Sequence, residues 1–243
     1  MKRLTKSLLY RLTFIPSERI YLYRLQGLDK PYYENVEIGP INLTEKIKRT
    51  KEGGFFEWPN LVALNQACST LINGEKKIVN IGSGTGILEK HLHVDSSLKI
   101  VSSELDDESR NWSIKNRSFK NVTYVGDDMK DLLKKYNKFD VAFCVEVIEH
   151  IKNYGEFLGQ FSKLANTAII TTPNKARNFN SLTSASPAYY QHVREWTAGE
   201  FYWVLRTFYN HVELYSMADI YVPSLFKVGV LTNKTPLIAY CQK

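Results

Sequence analysis

The sequence predicts an α/β protein: a seven-stranded, mainly parallel sheet with helices on both faces, preceded by an N-terminal helical extension. Three observations carry that expectation. The run Lys77-Ile78-Val79-Asn80-Ile81 breaks into alternating glycines at Gly82, Gly84 and Gly86, and a buried strand that turns through glycines into a helix lets the backbone approach a ligand closely. Downstream, short apolar runs alternate with helical patterns, the order of parallel strands joined by crossover helices. Acidic residues follow the second, third and fourth of these runs, at the carboxyl ends of strands where such sheets bind ligands.

Residues 1–75 are read as a helical extension packed on the core and residues 76–243 as the ligand-binding domain. Leu4, Leu8, Leu12 and Ile15 share one helical face, with Lys2, Lys6 and Arg11 elsewhere. That pattern suits packing on the chain's own domain, on a partner or on a membrane surface. Arg11 interrupts the apolar stretch and no small-residue cleavage site appears, so neither a signal peptide nor a transmembrane helix is expected. Residues 59–71 read as a helix with Leu61, Leu64 and Ala67 on one face, ended by Asn73-Gly74. Strands are then predicted at 77–81, 98–102, 122–125 and 139–145, with helices at 87–93, 107–117 and 130–135 between them. A helix over 155–164 and a strand over 168–172 follow, closed by Pro173-Asn174. Residues 175–194 lack periodicity and read as a loop whose length points to function or disorder. Thr197 and Glu200 have capping-box spacing ahead of Phe201, Val204, Leu205 and Phe208, and residues 212–215 and 237–241 complete the sheet.

A 243-residue chain holds one full α/β domain with appendages, and its 44% hydrophobic share is ample for a packed interior. The net charge of +7 permits a nucleic acid, a phosphorylated substrate or an anionic membrane as partner and selects none. Cys68, Cys144 and Cys241 follow neither zinc nor redox spacing and read as reduced, mostly buried thiols, with a cytoplasmic location as the default. The glycine spacing is G-x-G-x-G; Ile87 stands where a dinucleotide fingerprint places its third glycine, which argues against a nicotinamide or flavin ligand.

The order of IGSGTG at residues 81–86, an acid ending the second strand, Gly126-Asp127 after the third and EVIEH at 146–150 after the fourth resembles the class I S-adenosylmethionine-dependent methyltransferases. The resemblance runs from about Lys77 to Lys243. It implies a Rossmann-like sheet and S-adenosyl-L-methionine as cofactor, held at the turn by Asn80, Gly82, Ser83, Gly84 and Gly86. Glu104 would accept from both ribose hydroxyls, a task suited to a carboxylate with two acceptor oxygens. It lies about 18 residues past the last glycine, near the usual offset for a ribose acid; Asp106 or Asp107 takes the role if the strand ends later. Asp127 would accept from the adenine amino group, and the backbone of Asp128 or Met129 would meet the ring. The same residues read structurally are turn and loop acids. Asn80 departs from the family, which usually carries an acid there.

Glu146, Glu149 and His150 follow the fourth strand, and a helical turn there would project them to one side at the rim of the site. Glu146 is assigned to the cofactor, and Glu149, His150 and His192 to catalysis. A histidine can take the proton that an alcohol loses as its oxygen attacks a sulfonium methyl. The structural reading of the histidines is a helix-capping or core residue for His150 and a loop residue bonded to a neighbour for His192. The small-RNA 3′-terminal ribose methyltransferases are similar in carrying E-x-x-E-H and a later histidine around a divalent metal, and Asn178 and Asn180 lie near their asparagines. Tyr189, Tyr190 and Trp196 are candidate substrate walls or core residues. The leading expectation is an O-methyltransferase for a small-molecule or glycan-type acceptor. The second is a metal-dependent RNA ribose 2′-O-methyltransferase using Glu146, Glu149, His150 and His192, and the third is a non-catalytic binding module of the same fold.

Overall fold

Strand β1 (Lys77–Ile81) is buried along its last four residues, as a strand covered on both faces must be. The computed structural model describes residues 59–177, 192–228 and 235–243. The expectations for Leu4 to Ile15 and for Asn178, Asn180, Tyr189 and Tyr190 lie outside the described residues. Helix α1 (Pro59–Ser69) precedes β1; α2 (Ile87–Leu92), β2 (Lys99–Ser103), α3 (Asp107–Asn116), β3 (Val122–Val125), α4 (Met129–Lys135) and β4 (Phe139–Cys144) follow. Next come α5 (Tyr154–Leu164), β5 (Ala165–Thr172), α6 (Ala198–Arg206), β6 (His211–Asp219), β7 (Val222–Lys227) and β8 (Leu237–Gln242).

The strands form one sheet in the order β3-β2-β1-β4-β5-β8-β6-β7. The first five are parallel, and β8 runs antiparallel between β5 and β6. Strand order reverses between β1 and β4, and the crevice outside their carboxyl ends is where open α/β sheets bind ligands. Side chains alternate across the sheet. Ile78, Ile100, Val141 and Phe143 meet α1 and α2 through Leu64, Ala67, Leu88 and Leu92. Val79, Val101, Ala142 and Cys144 share the opposite layer with Leu158 and Phe161 of α5 and Phe201 and Leu205 of α6.

The sheet has eight strands, one more than the seven expected. The addition is β7, which among the described residues pairs with β6 alone, across the tight Ile220-Tyr221 turn, where the Tyr221 amide donates to Asp219 Oδ1 at 2.9 Å. Its sequence, VPSLFK, hides the strand: Pro223 lacks a ladder donor, which restricts it to an edge, and no residue of β7 is fully buried, so no apolar alternation marks it. All three cysteines are buried and free. Among the described residues no helix is long and apolar enough to cross a membrane.

Helix starts follow local chemistry. Asp106, Asp128 and Asn153 cap α3, α4 and α5 by accepting a backbone amide three residues on. Thr197 and Glu200 form the expected capping box on α6. Replacing Thr197 by Ala should cost about 1 kcal/mol in urea unfolding through the lost cap, whereas Pro223→Ala on the exposed edge strand should stay within about 0.5 kcal/mol.

Candidate functional site

The turn from β1 to α2 runs through the left-handed region three times, at Gly82 (φ 69°), Gly84 (φ 56°) and Gly86 (φ 73°). Only glycine adopts this routinely, because a Cβ there crowds the following carbonyl. The three glycines differ in their surroundings. A Cβ on Gly82 would fall 2.6 Å from Val147 Cγ2, and one on Gly86 would fall 3.1 Å from the Tyr124 hydroxyl; one on Gly84 would meet none of the described residues within 4 Å. Gly82 and Gly86 are therefore glycines for packing as well as conformation, while Gly84 borders open space.

The turn is tied to the end of β2. The amides of Gly82 and Ser83 donate to the Ser103 carbonyl at 2.9 and 3.1 Å, and the Gly84 amide donates to Glu104 Oε2 at 2.7 Å. Glu104 Oε1 accepts the Asp106 amide at 2.9 Å, and Arg110 Nη1 donates to the Glu104 carbonyl at 2.7 Å. Each carboxylate oxygen of Glu104 holds one backbone donor and retains capacity for a second. Asp106 and Asp107 are otherwise engaged: Asp106 caps α3, and Asp107 pairs with Arg110.

Beyond β3 the chain is held by Ser103 Oγ donating to the Asp127 carbonyl at 2.5 Å. The Asp127 carboxylate accepts from Lys135 Nζ at 2.5 Å, so a ligand donor at this position would share it with a lysine. Asp128 spends its side chain on the first turn of α4, and Met129 packs half-buried on the core.

After β4 the chain does not enter an α-helix. Glu146 takes a left-handed conformation (φ 53°), rare for a residue with a side chain. Thr171 of β5 holds it, its hydroxyl accepting from the Glu146 amide at 2.9 Å and donating to Glu146 Oε1 at 2.8 Å. A single 3-10 turn, Ile148–His150, follows, so the shared helical face expected for Glu146, Glu149 and His150 does not form. Glu149 is 1% exposed and stands beneath the rim rather than on it. Burial pushes its carboxyl well above the usual carboxylate range, and the Glu146 charge adds to the rise.

Residues 192–196 form a strap across this end of the sheet. The amides of Val193 and Arg194 both donate to the Glu149 carbonyl, at 2.7 and 3.2 Å, and the Lys175 amide donates to the Trp196 carbonyl at 2.8 Å. Arg194 lies over the rings of Tyr154 and Trp196, 5.2 and 5.6 Å from their centroids. The strap brings His192 edge-on to His150 with ring centroids 5.0 Å apart. His192 Nδ1 lies 2.7 Å from Glu195 Oε1. One ligand atom from each of Glu149, His150 and His192 falls within 4.8 Å of the others; Glu146 is outside that group. Trp196 is fully buried in the core, which removes it as a substrate wall.

Glu195, Thr171 and Val147 escaped the sequence reading. Glu195 had a signal, standing three residues after a histidine; Thr171 and Val147 depend on contacts between separate strands and loops.

A family model described as a methyltransferase domain matches residues 59–214. Among solved structures, the methyltransferase domain of bacterial CtHen1 is similar at 20% identity and TM-score 0.58, over 76% of this chain and 98% of that one. A SAM-dependent methyltransferase from Thermotoga maritima, described as a possible histamine N-methyltransferase, is similar at 16% identity and TM-score 0.60, over 83% and 99%. The plantazolicin methyltransferase BpumL, solved with SAH, is similar at 14% identity and TM-score 0.56, over 96% and 99%. These likenesses show the fold. No curated protein sequence matches the chain.

The glycine geometry separates two substitutions in urea unfolding. Gly84→Ala should cost about 1–2 kcal/mol through backbone strain alone. Gly82→Ala should cost about 1–3 kcal/mol more, because its Cβ must displace Val147.

Proposed function

Because this chain belongs to the methyltransferase-domain family that residues 59–214 match, we propose that it transfers a methyl group from S-adenosyl-L-methionine to a hydroxyl oxygen of a small-molecule or glycan-type acceptor. The observation that carries the oxygen chemistry is the His192–Glu195 pair beside His150 at the end of β4. The turn fits the cofactor: Gly84 borders open space, and Glu104 has acceptor capacity beside it. Glu104 would hold the ribose, Asp127 and the backbone of Asp128 and Met129 the adenine, and the Gly82–Gly86 turn with Glu146 the methionine portion, Asn80 being buried behind the turn. The cofactor supplies a methyl group already activated on a sulfonium.

What the protein adds is position and a proton acceptor. As a hydrogen-bond acceptor Glu195 would fix the hydrogen of His192 on Nδ1, and Nε2 would then serve as the base. Nε2 would take the proton of the acceptor hydroxyl as that oxygen is methylated, the bound cofactor supplying the methyl group and keeping the electron pair of the sulfur–methyl bond. The products are an O-methyl ether, S-adenosylhomocysteine and one proton. Buried, free Cys68, Cys144 and Cys241 suit a reducing, cytoplasmic compartment. The division of the chain at residue 75 is likewise our reading, with α1 as the described part of the extension.

The cluster of Glu149, His150 and His192 favours a second reading, in which these residues hold a divalent metal and the acceptor is an RNA ribose hydroxyl. The net charge of +7 suits that anionic acceptor.

Calorimetry with S-adenosylmethionine should show binding that Gly84→Asp abolishes; unchanged binding would exclude the assigned turn. Against an identified hydroxyl acceptor, His192→Ala should lower kcat by about 10²–10⁴-fold while cofactor affinity holds. Metal analysis and a chelator separate the readings: the first predicts no stoichiometric metal and full activity under chelation, the second bound metal and chelation-sensitive methylation of RNA.

A further inference from the structure

Beneath the glycine turn lies a polar cluster that the mechanism does not use. Glu89, on α2, is fully buried, and its Oε1 accepts from two donors: Asn80 Nδ2 of β1 and Ser102 Oγ of β2, each at 2.8 Å. Among the described residues neither Glu89 Oε2 nor Asn80 Oδ1 has a hydrogen-bond partner. The groups facing the carboxyl are Asn80, Ser102, the charge of Arg117 and the neutral phenol of Tyr124, whose hydroxyl donates to the Arg117 carbonyl. Burial raises this carboxyl above its ordinary range against the hydrogen bonds and the Arg117 charge that lower it. Asn80, expected among the cofactor's own contacts, is thus 3% exposed, with its amide committed to Glu89.

A buried carboxyl with an unsatisfied oxygen is unfavourable for stability and calls for another use. The cluster's place indicates one. Asn80 is two residues before Gly82, and Ser102 immediately precedes the Ser103 carbonyl that receives the Gly82 and Ser83 amides. Ser103 also leads into Glu104, which holds the Gly84 amide. One carboxyl oxygen on α2 therefore fixes both strands at the points where they give rise to the cofactor's cradle.

We propose that Glu89 is a positioning residue for the cofactor turn, acting through Asn80 and Ser102 to set the separation of the glycine turn and Glu104. It rests on the cofactor assignment and is independent of the acceptor. What it requires is an acceptor oxygen at position 89, which Gln supplies and Leu does not.

The test is calorimetric titration of the full chain with S-adenosylhomocysteine, with urea unfolding measured in parallel. Glu89→Leu should weaken binding at least about tenfold, and Asn80→Ala, which breaks only the link to β1, should weaken it in the same direction while unfolding cooperatively. Glu89→Gln should bind within about threefold of the wild type, a rescue that mere core filling by Leu cannot reproduce. Wild-type affinity in Glu89→Leu or in Asn80→Ala, or equal losses in Glu89→Gln and Glu89→Leu, would overturn the proposal alone. Absence of binding by the wild type would overturn the cofactor assignment and this proposal with it.

Discussion

Three left-handed residues in five, Gly82, Gly84 and Gly86, are the constraint on which the site depends. That backbone path turns the amides of Gly82, Ser83 and Gly84 toward the end of β2, where the Ser103 carbonyl and the Glu104 carboxylate receive them. The same path brings Gly82 against Val147, so the loop after β4 packs on the turn after β1. The switch point of the sheet is thereby closed into one cradle by backbone geometry, before any side chain contacts a ligand.

The side that carries Glu149, His150 and His192 is assembled differently. Glu149 and His192 are far apart in sequence, and what joins them is the Glu149 carbonyl, which receives the Val193 and Arg194 amides. Arg194, stacked on Tyr154 and Trp196, anchors the strap from the other side. Its position is therefore set by main-chain bonds and a buried aromatic core, which hold the His192 ring against His150 and Glu195. The energetic burden falls on Glu149 and Glu89, carboxyls that burial drives toward the neutral form.

The parallel half of the fold was legible because its strands are continuous apolar runs and its turns are punctuated by glycine, aspartate and proline. The Thr197–Glu200 capping box is local in sequence and was equally plain. β7 was not, since an edge strand buries no face and VPSLFK carries no alternation to read. The conformation after β4 was missed for a related reason. EVIEH has helical spacing, but Thr171 on the neighbouring strand captures Glu146 in a left-handed turn, and no pattern within the segment reports a hydroxyl 25 residues away. The contacts of Glu89 and Glu195 likewise depend on partners supplied by folding; in Asn80 the sequence displayed a departure from the family without showing the acid beside it.

A crystal structure of the protein with S-adenosylhomocysteine bound decides whether the cradle has been identified. The account requires the nucleoside to lie over Gly84 with both ribose hydroxyls on the Glu104 carboxylate and the Gly82–Gly86 backbone unchanged. A nucleoside bound elsewhere, or one reaching ribose contacts only after Glu104 has released the Gly84 amide, would contradict it.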